Sequence, residues 1–101
     1  MVPARHASRA REALRAGSEG KIMFYYTYIL KSISDGKLYV GFTKDLRKRI
    51  QEHNTGLVTA TKNRCPWRLI YYEACLTADK ALKREKYFKT GFGRRFLKDR
   101  I

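Results

Sequence analysis

Apolar residues along the chain alternate between two spacings. Residues 24–31 (FYYTYILK) form an aromatic and β-branched run with strand character. Ser32–Gly36 breaks the run, with Asp35-Gly36 as the expected tight point of a hairpin. Leu38–Thr43 predicts the second strand; Leu38, Val40 and Phe42 share one face, Tyr39 and Gly41 the other. The spacing changes at Asp45–Asn54, where Leu46, Arg49, Ile50 and His53 recur every three or four residues and predict a helix, with Thr43 as its N-cap. Residues 55–66 read as a polar, basic loop, functional or mobile at that length. Trp67–Cys75 (WRLIYYEAC) predicts the third strand. Thr77–Lys89 predicts a helix capped by Thr77, whose inward stripe of Ala78, Ala81, Leu82 and Phe88 is interrupted by Glu85. Gly91 and Gly93 are expected to end it, and a short basic helix to start at Phe96.

The order is therefore β-β-α-β-α-α, an α+β arrangement. Hairpin parity adds a constraint. Opposed residues in an antiparallel pair have a constant sum: 71 for a two-residue Asp-Gly loop, changing by an even amount for each extra residue pair. Every odd sum puts Tyr28 and Tyr39 on one face, so the tyrosines converge whatever the loop length. Gly41 beside them is expected to leave room for a ligand or a backbone.

Composition narrows the partner. The 101 residues carry 23 Lys and Arg against 9 Asp and Glu, a formal charge of +14, which favours a polyanion, nucleic acid before membrane. No apolar run approaches the ~20 residues that span a bilayer. Cys65 and Cys75 stand in no metal-binding spacing, as expected of a reduced, cytoplasmic protein. Residues 1–22 lack aromatic residues and read as a disordered or dispensable extension, with Met23 the expected start of the protein and 23–101 its single domain.

Arg49 and His53 are i,i+4 neighbours on or beside the inward stripe, facing a sheet with two converging tyrosines. Glu85 on an apolar stripe is costly unless paired or bound to metal. Tyr28, Tyr39, Arg49, His53 and Glu85 supply what phosphodiester hydrolysis needs: a carboxylate for one divalent ion, a cation for the phosphate oxygens, and a tyrosine–histidine pair to move a proton. They are expected to line one concave site. Lys44, Lys48, Lys62 and Arg64 are the candidate backbone contacts, with the loop threonine hydroxyls beside them.

The spacing Tyr28, Tyr39, Arg49, His53, with Tyr39-Val40-Gly41 and the run Ala81-Leu82-Lys83-Arg84-Glu85-Lys86, resembles the GIY-YIG nuclease superfamily in its small, stand-alone bacterial form. Tyr26-Thr27-Tyr28 replaces the literal Gly-Ile-Tyr, and no asparagine follows the glutamate helix. The resemblance implies a three-stranded antiparallel sheet flanked by helices. It also implies a Mg²⁺- or Mn²⁺-dependent endonuclease acting on DNA, branched or damaged forms included, with RNA left open. Tyr39 would help activate water, Arg49 would stabilise the phosphate and Glu85 would bind the metal. Relatives act in DNA repair and usually add a separate DNA-binding domain, so a protein partner supplying DNA specificity is a further expectation. The alternative is a nucleic-acid-binding module of the same fold with little catalysis.

Overall fold

The computed structural model describes residues 23–101, so the reading of 1–22 as an extension lies outside the described residues. Strands β1 (Tyr25–Ser32), β2 (Leu38–Thr43) and β3 (Trp67–Cys75) form one antiparallel sheet in the order β2-β1-β3. Helix α1 (Leu46–Asn54) follows β2, and α2 (Ala78–Phe88) and α3 (Gly91–Lys98) follow β3. The β-β-α-β-α-α order holds among the described residues.

β1 is the central strand because both of its faces are apolar. Thr27, Tyr28, Ile29 and Leu30 are all buried, as a strand covered on both sides requires. On one face Tyr28 and Leu30 pack with Trp67, Tyr39, Leu69 and the α1 residues Leu46 and Ile50. On the other, Ile29 packs with Val40, Ile70 and Tyr71 and with Phe88, Phe96 and Leu97 of the later helices. Complete burial of a side chain such as Phe88 stabilises the fold by about 1.5–3 kcal/mol. Arg84 closes this second layer. It forks onto Glu73 at 2.8 and 2.9 Å and lies over the Phe88 ring at 4.7 Å. Burial opposes ionisation of Glu73, but the Arg84 fork prevails and holds its carboxyl below the usual range.

The hairpin pairs Tyr28 with Gly41, a residue sum of 69. The loop is thus wider than a two-residue Asp-Gly turn: Ser32 N–H donates to Lys37 O at 2.9 Å, and Gly36 takes φ +72°. Parity is unchanged, and Tyr28 and Tyr39 meet with ring centroids 6.4 Å apart. β3 carries a bulge, since Ile29 opposes Tyr71 while Leu30 opposes Leu69. The extra residue, Ile70, lets Trp67 and Leu69 face α1 while Ile70 and Tyr71 face the other layer.

Three local expectations are corrected. Asp45, not Thr43, caps α1, accepting from Lys48 N–H at 3.1 Å, while the Thr43 hydroxyl takes the Asp45 N–H. Gly91 and Gly93 do not end α2. They lie inside the first turn of α3, which begins at Gly91 and not at Phe96, behind the Thr90 cap. Glycine is needed at 93 because a Cβ there would strike the Tyr87 carbonyl. The space above Gly41 is not free for a ligand: the Tyr28 phenol lies on it, where a Cβ would stand. Thr77 caps α2 as expected, accepting from Lys80 N–H at 3.3 Å.

Gly41→Ala is expected to destabilise the fold by about 1–3 kcal/mol, the cost of forcing an extra methyl into a packed site. Gly91→Ala meets open space in a helix and should stabilise by about 0.5–1 kcal/mol. Urea denaturation of the two variants checks the pair, and equal midpoints would show that the Tyr28 phenol does not rest on Gly41.

Candidate active site

The Tyr28 hydroxyl is 2.8 Å from His53 Nε2, and His53 Nδ1 is 2.7 Å from Thr61 Oγ1. All three side chains are buried, at 1%, 0% and 0% exposure. The Val58 carbonyl lies 3.4 Å from Thr61 Oγ1 and accepts its proton. His53 then donates from Nδ1 to Thr61 and accepts at Nε2 from the Tyr28 hydroxyl. The tautomer is assigned from this network.

His53 reaches this position because it lies on the inward stripe of α1, one turn after Arg49. Its ring packs edge-on against Tyr28 and Tyr39, with centroids 5.7 and 5.1 Å away. The segment after α1 is strapped down behind it. Asn54 Nδ2 donates to Trp67 O at 3.0 Å, and Trp67 N–H donates back to Asn54 Oδ1 at 2.6 Å. Trp67 Nε1 donates to Thr61 O at 3.1 Å and Ser32 Oγ to Arg64 O at 2.7 Å. The loop of residues 55–66 is therefore tied to both strands at its second half, and Thr61 supports His53 instead of presenting a hydroxyl to phosphate.

Burial sets the charges. It pushes the Tyr28 phenol up to about 12, although the Arg49 guanidinium favours the ionised form; Tyr39 and Glu85 add smaller upward contributions. Burial also drives His53 down to about 4, helped by Arg49 and opposed by Glu52. Both groups are neutral near pH 7. Tyr28 first, then Glu52, hold Arg49 more firmly protonated than usual.

Arg49 pairs with Glu52 at 3.0 Å and is partly exposed. Glu52, although outside the inward stripe of α1, therefore stands beside the site. Together they line a shallow cleft of about 330 Å³ with Lys44 and Lys48, at the Thr43 end of β2. At the opposite end Tyr39 lines a wider groove of about 980 Å³ with Arg64. Lys62 is exposed and lines neither. The five residues do not line one concavity: Tyr28 and His53 are closed off between two openings, into which Arg49 and Tyr39 respectively look.

Glu85 comes from α2, on the opposite face of the sheet, and its charge acts on the Tyr28 phenol. Its side chain is 21% exposed and meets Lys89 Nζ at 3.5 Å. Among the described residues no three His, Cys, Asp or Glu side chains gather into a cage. Mg²⁺ needs none when one carboxylate, water and substrate phosphate supply its oxygens. A half-buried carboxylate with one long contact suits that mode. Thr61 and Glu52 are the site residues missed in the sequence. Glu52 carried a signal, its i,i+3 relation to Arg49; Thr61 carried none, since a threonine in a polar loop gives no sign of burial.

Residues 24–98 match the GIY-YIG catalytic domain family. A UPF0213 protein of Staphylococcus saprophyticus is 48% identical over 67 residues, covering 65% of this chain and 80% of that protein. A UPF0213 protein of Bacillus pumilus is 43% identical over 67 residues, covering 65% and 67%. The solution NMR structure of a UPF0213 protein from Bacillus halodurans is 31% identical and covers 76% of this chain and 84% of that one, with a TM-score of 0.48.

His53 titrates near 4 when folded and near 6.5 when unfolded, so the unfolded chain takes up the proton first. The contribution to stability is whole above pH 6.5 and falls as pH drops toward 4, by about 2 kcal/mol between pH 7 and pH 5. NMR titration should find the His53 ring neutral down to about pH 4. A midpoint near 6.5 would mean that the ring is not buried.

Proposed function

We propose that this chain, which belongs to the GIY-YIG catalytic domain family and so to a nuclease superfamily, is a divalent-metal-dependent endonuclease that hydrolyses DNA phosphodiester bonds, branched or damaged DNA among its substrates. The observation that carries the reading is the contact of Tyr28, Tyr39 and His53 beside a partly exposed Arg49, with the Glu85 charge acting on the same phenol from the other layer.

The roles follow from exposure. Arg49 opens to solvent and offers a guanidinium to the non-bridging oxygens; Glu52 holds it in place until phosphate arrives. Tyr39 stands at the other mouth. It would help activate the attacking water by orienting it through a hydrogen bond from its phenol, and the proton released on attack would leave to solvent. Tyr28 and His53 touch neither solvent nor substrate and are positioning residues. Their hydrogen bond fixes the phenol against which Tyr39 and Arg49 rest. Glu85 would hold Mg²⁺ or Mn²⁺, which when bound supplies charge neutralisation at the phosphate and a more acidic water. Lys44 and Lys48 flank Arg49 and suit backbone contact. No helix among the described residues is long and apolar enough to cross a membrane. A cytoplasmic place, and a protein partner that supplies specificity, complete the proposal.

A cleavage screen on duplex, single-stranded and branched DNA, with Mg²⁺, with Mn²⁺ and with EDTA, tests it. Cutting should require metal and vanish in Glu85→Ala. Arg49→Ala should lose about 100-fold or more in rate, the scale of one lost transition-state donor, and keep most of its DNA affinity. Metal-independent cutting would remove Glu85 from its role. Equal loss of binding and cutting in Arg49→Ala would make that residue an ordinary phosphate contact. DNA binding with no cleavage of any substrate would favour a binding module of this fold.

A further inference from the structure

We propose that the wide groove at the Tyr39 end of β2 carries the DNA strand away from the scissile phosphate, with α3 as its outer wall. Lys37, Arg64, Lys89, Arg94, Arg95 and Lys98 line it, and no Asp or Glu side chain does. Two of the six are engaged already, Arg64 with Asp35 at 2.9 Å and Lys89 with Glu85 at 3.5 Å. Arg95 lies over the exposed Phe92 ring at 4.8 Å, an arrangement that leaves its charge in solvent. Lys37, Arg94, Arg95 and Lys98 are exposed and among the described residues form no ion pair. Cations gathered with no counter-charge repel one another, and a polyanion relieves that repulsion by displacing their counterions.

Position gives the groove its direction. Tyr39 belongs to it and to the aromatic cluster around His53. The Arg49 cleft lies at the other end of the same edge strand, with Lys44 and Lys48. From Lys37 to Lys44 the backbone rises about 24 Å, at roughly 3.4 Å per residue. That length matches about seven base steps of a duplex at 3.4 Å each. A strand laid along β2 would pass Tyr39 and then Arg49, with α3 holding one flank and the start of α1 the other. The thirteen positions of the large groove hold too many separated charges for a small metabolite and suit a repeating anion. The assignment rests on the nuclease reading for its polarity relative to the cut, but the binding it describes does not require cleavage.

The test is anisotropy of labelled duplex and single-stranded DNA with the full chain, in EDTA, across a range of NaCl. The variants are Arg94→Gln/Arg95→Gln/Lys98→Gln and a control of equal charge on exposed α2 positions, Lys80→Gln/Lys83→Gln/Lys86→Gln. The groove variant should lose at least tenfold in affinity. Its log–log salt slope on duplex should shrink by about 2–3, near 0.9 per lost phosphate contact; the control should change less than threefold. If the α3 variant fails to fold, Lys37→Gln on the facing wall reads the same groove through a slope change of about 1. Equal losses in groove variant and control, or no loss in the groove variants, would overturn the assignment. Groove-dependent binding without cleavage would sink the nuclease reading alone, whereas Arg49-dependent cleavage with groove-independent binding would sink the groove alone.

Discussion

The buried Tyr28–His53 hydrogen bond is the constraint on which the rest of the site depends. Two polar groups removed from water must find each other, because a lone buried donor or acceptor costs about 1–3 kcal/mol. The bond joins the central strand to α1, and the second ring nitrogen extends it to Thr61 in the following loop. That requirement fixes the phenol over Gly41, which in turn excludes any side chain at that position of β2. Among the described residues, every buried side-chain nitrogen or oxygen has a partner. The interior can therefore hold a histidine and a tyrosine without ionising either.

What could be read in the sequence depended on range. The convergence of Tyr28 and Tyr39 was legible because parity survives any even change of loop width, and the loop did widen. The inward placement of His53 was legible from helical spacing. The Thr77 cap was legible because the helix pattern starts directly after it. At α1 Thr43 and Asp45 competed, and Asp45 won because its carboxylate reaches Lys48 N–H. Gly91 and Gly93 misled because glycine has two uses near helix ends: a left-handed terminus and a close backbone crossing. At Gly93 the second applies and at Gly91 neither, and among the described glycines only Gly36 and Gly56 take positive φ. The placement of Glu85 in the opposite layer, and the opening of Arg49 and Tyr39 into separate clefts, depend on how layers stack, which no local pattern encodes.

The two layers divide the labour by polarity. The α1 layer holds the neutral aromatic cluster and Arg49; the α2–α3 layer holds Glu85 and the stacked Arg84. Between them β2 is one edge of the sheet, so charges from both layers can act at a single strand. A carboxylate on the same layer as Arg49 would be neutralised by it, as Glu52 is. Reaching the phenol from the other face keeps Glu85 outside that pair.

An open sheet edge is also an invitation to another strand, since its outward N–H and C=O groups are unpaired. β2 is such an edge, bracketed by Lys37 and Lys44. Were two copies to pair antiparallel about the middle of this strand, Lys37 of each would oppose Lys44 of the other, and like charges directly opposed disfavour pairing. The lysines that make the edge hospitable to an anionic strand thus guard it against self-association by sheet extension.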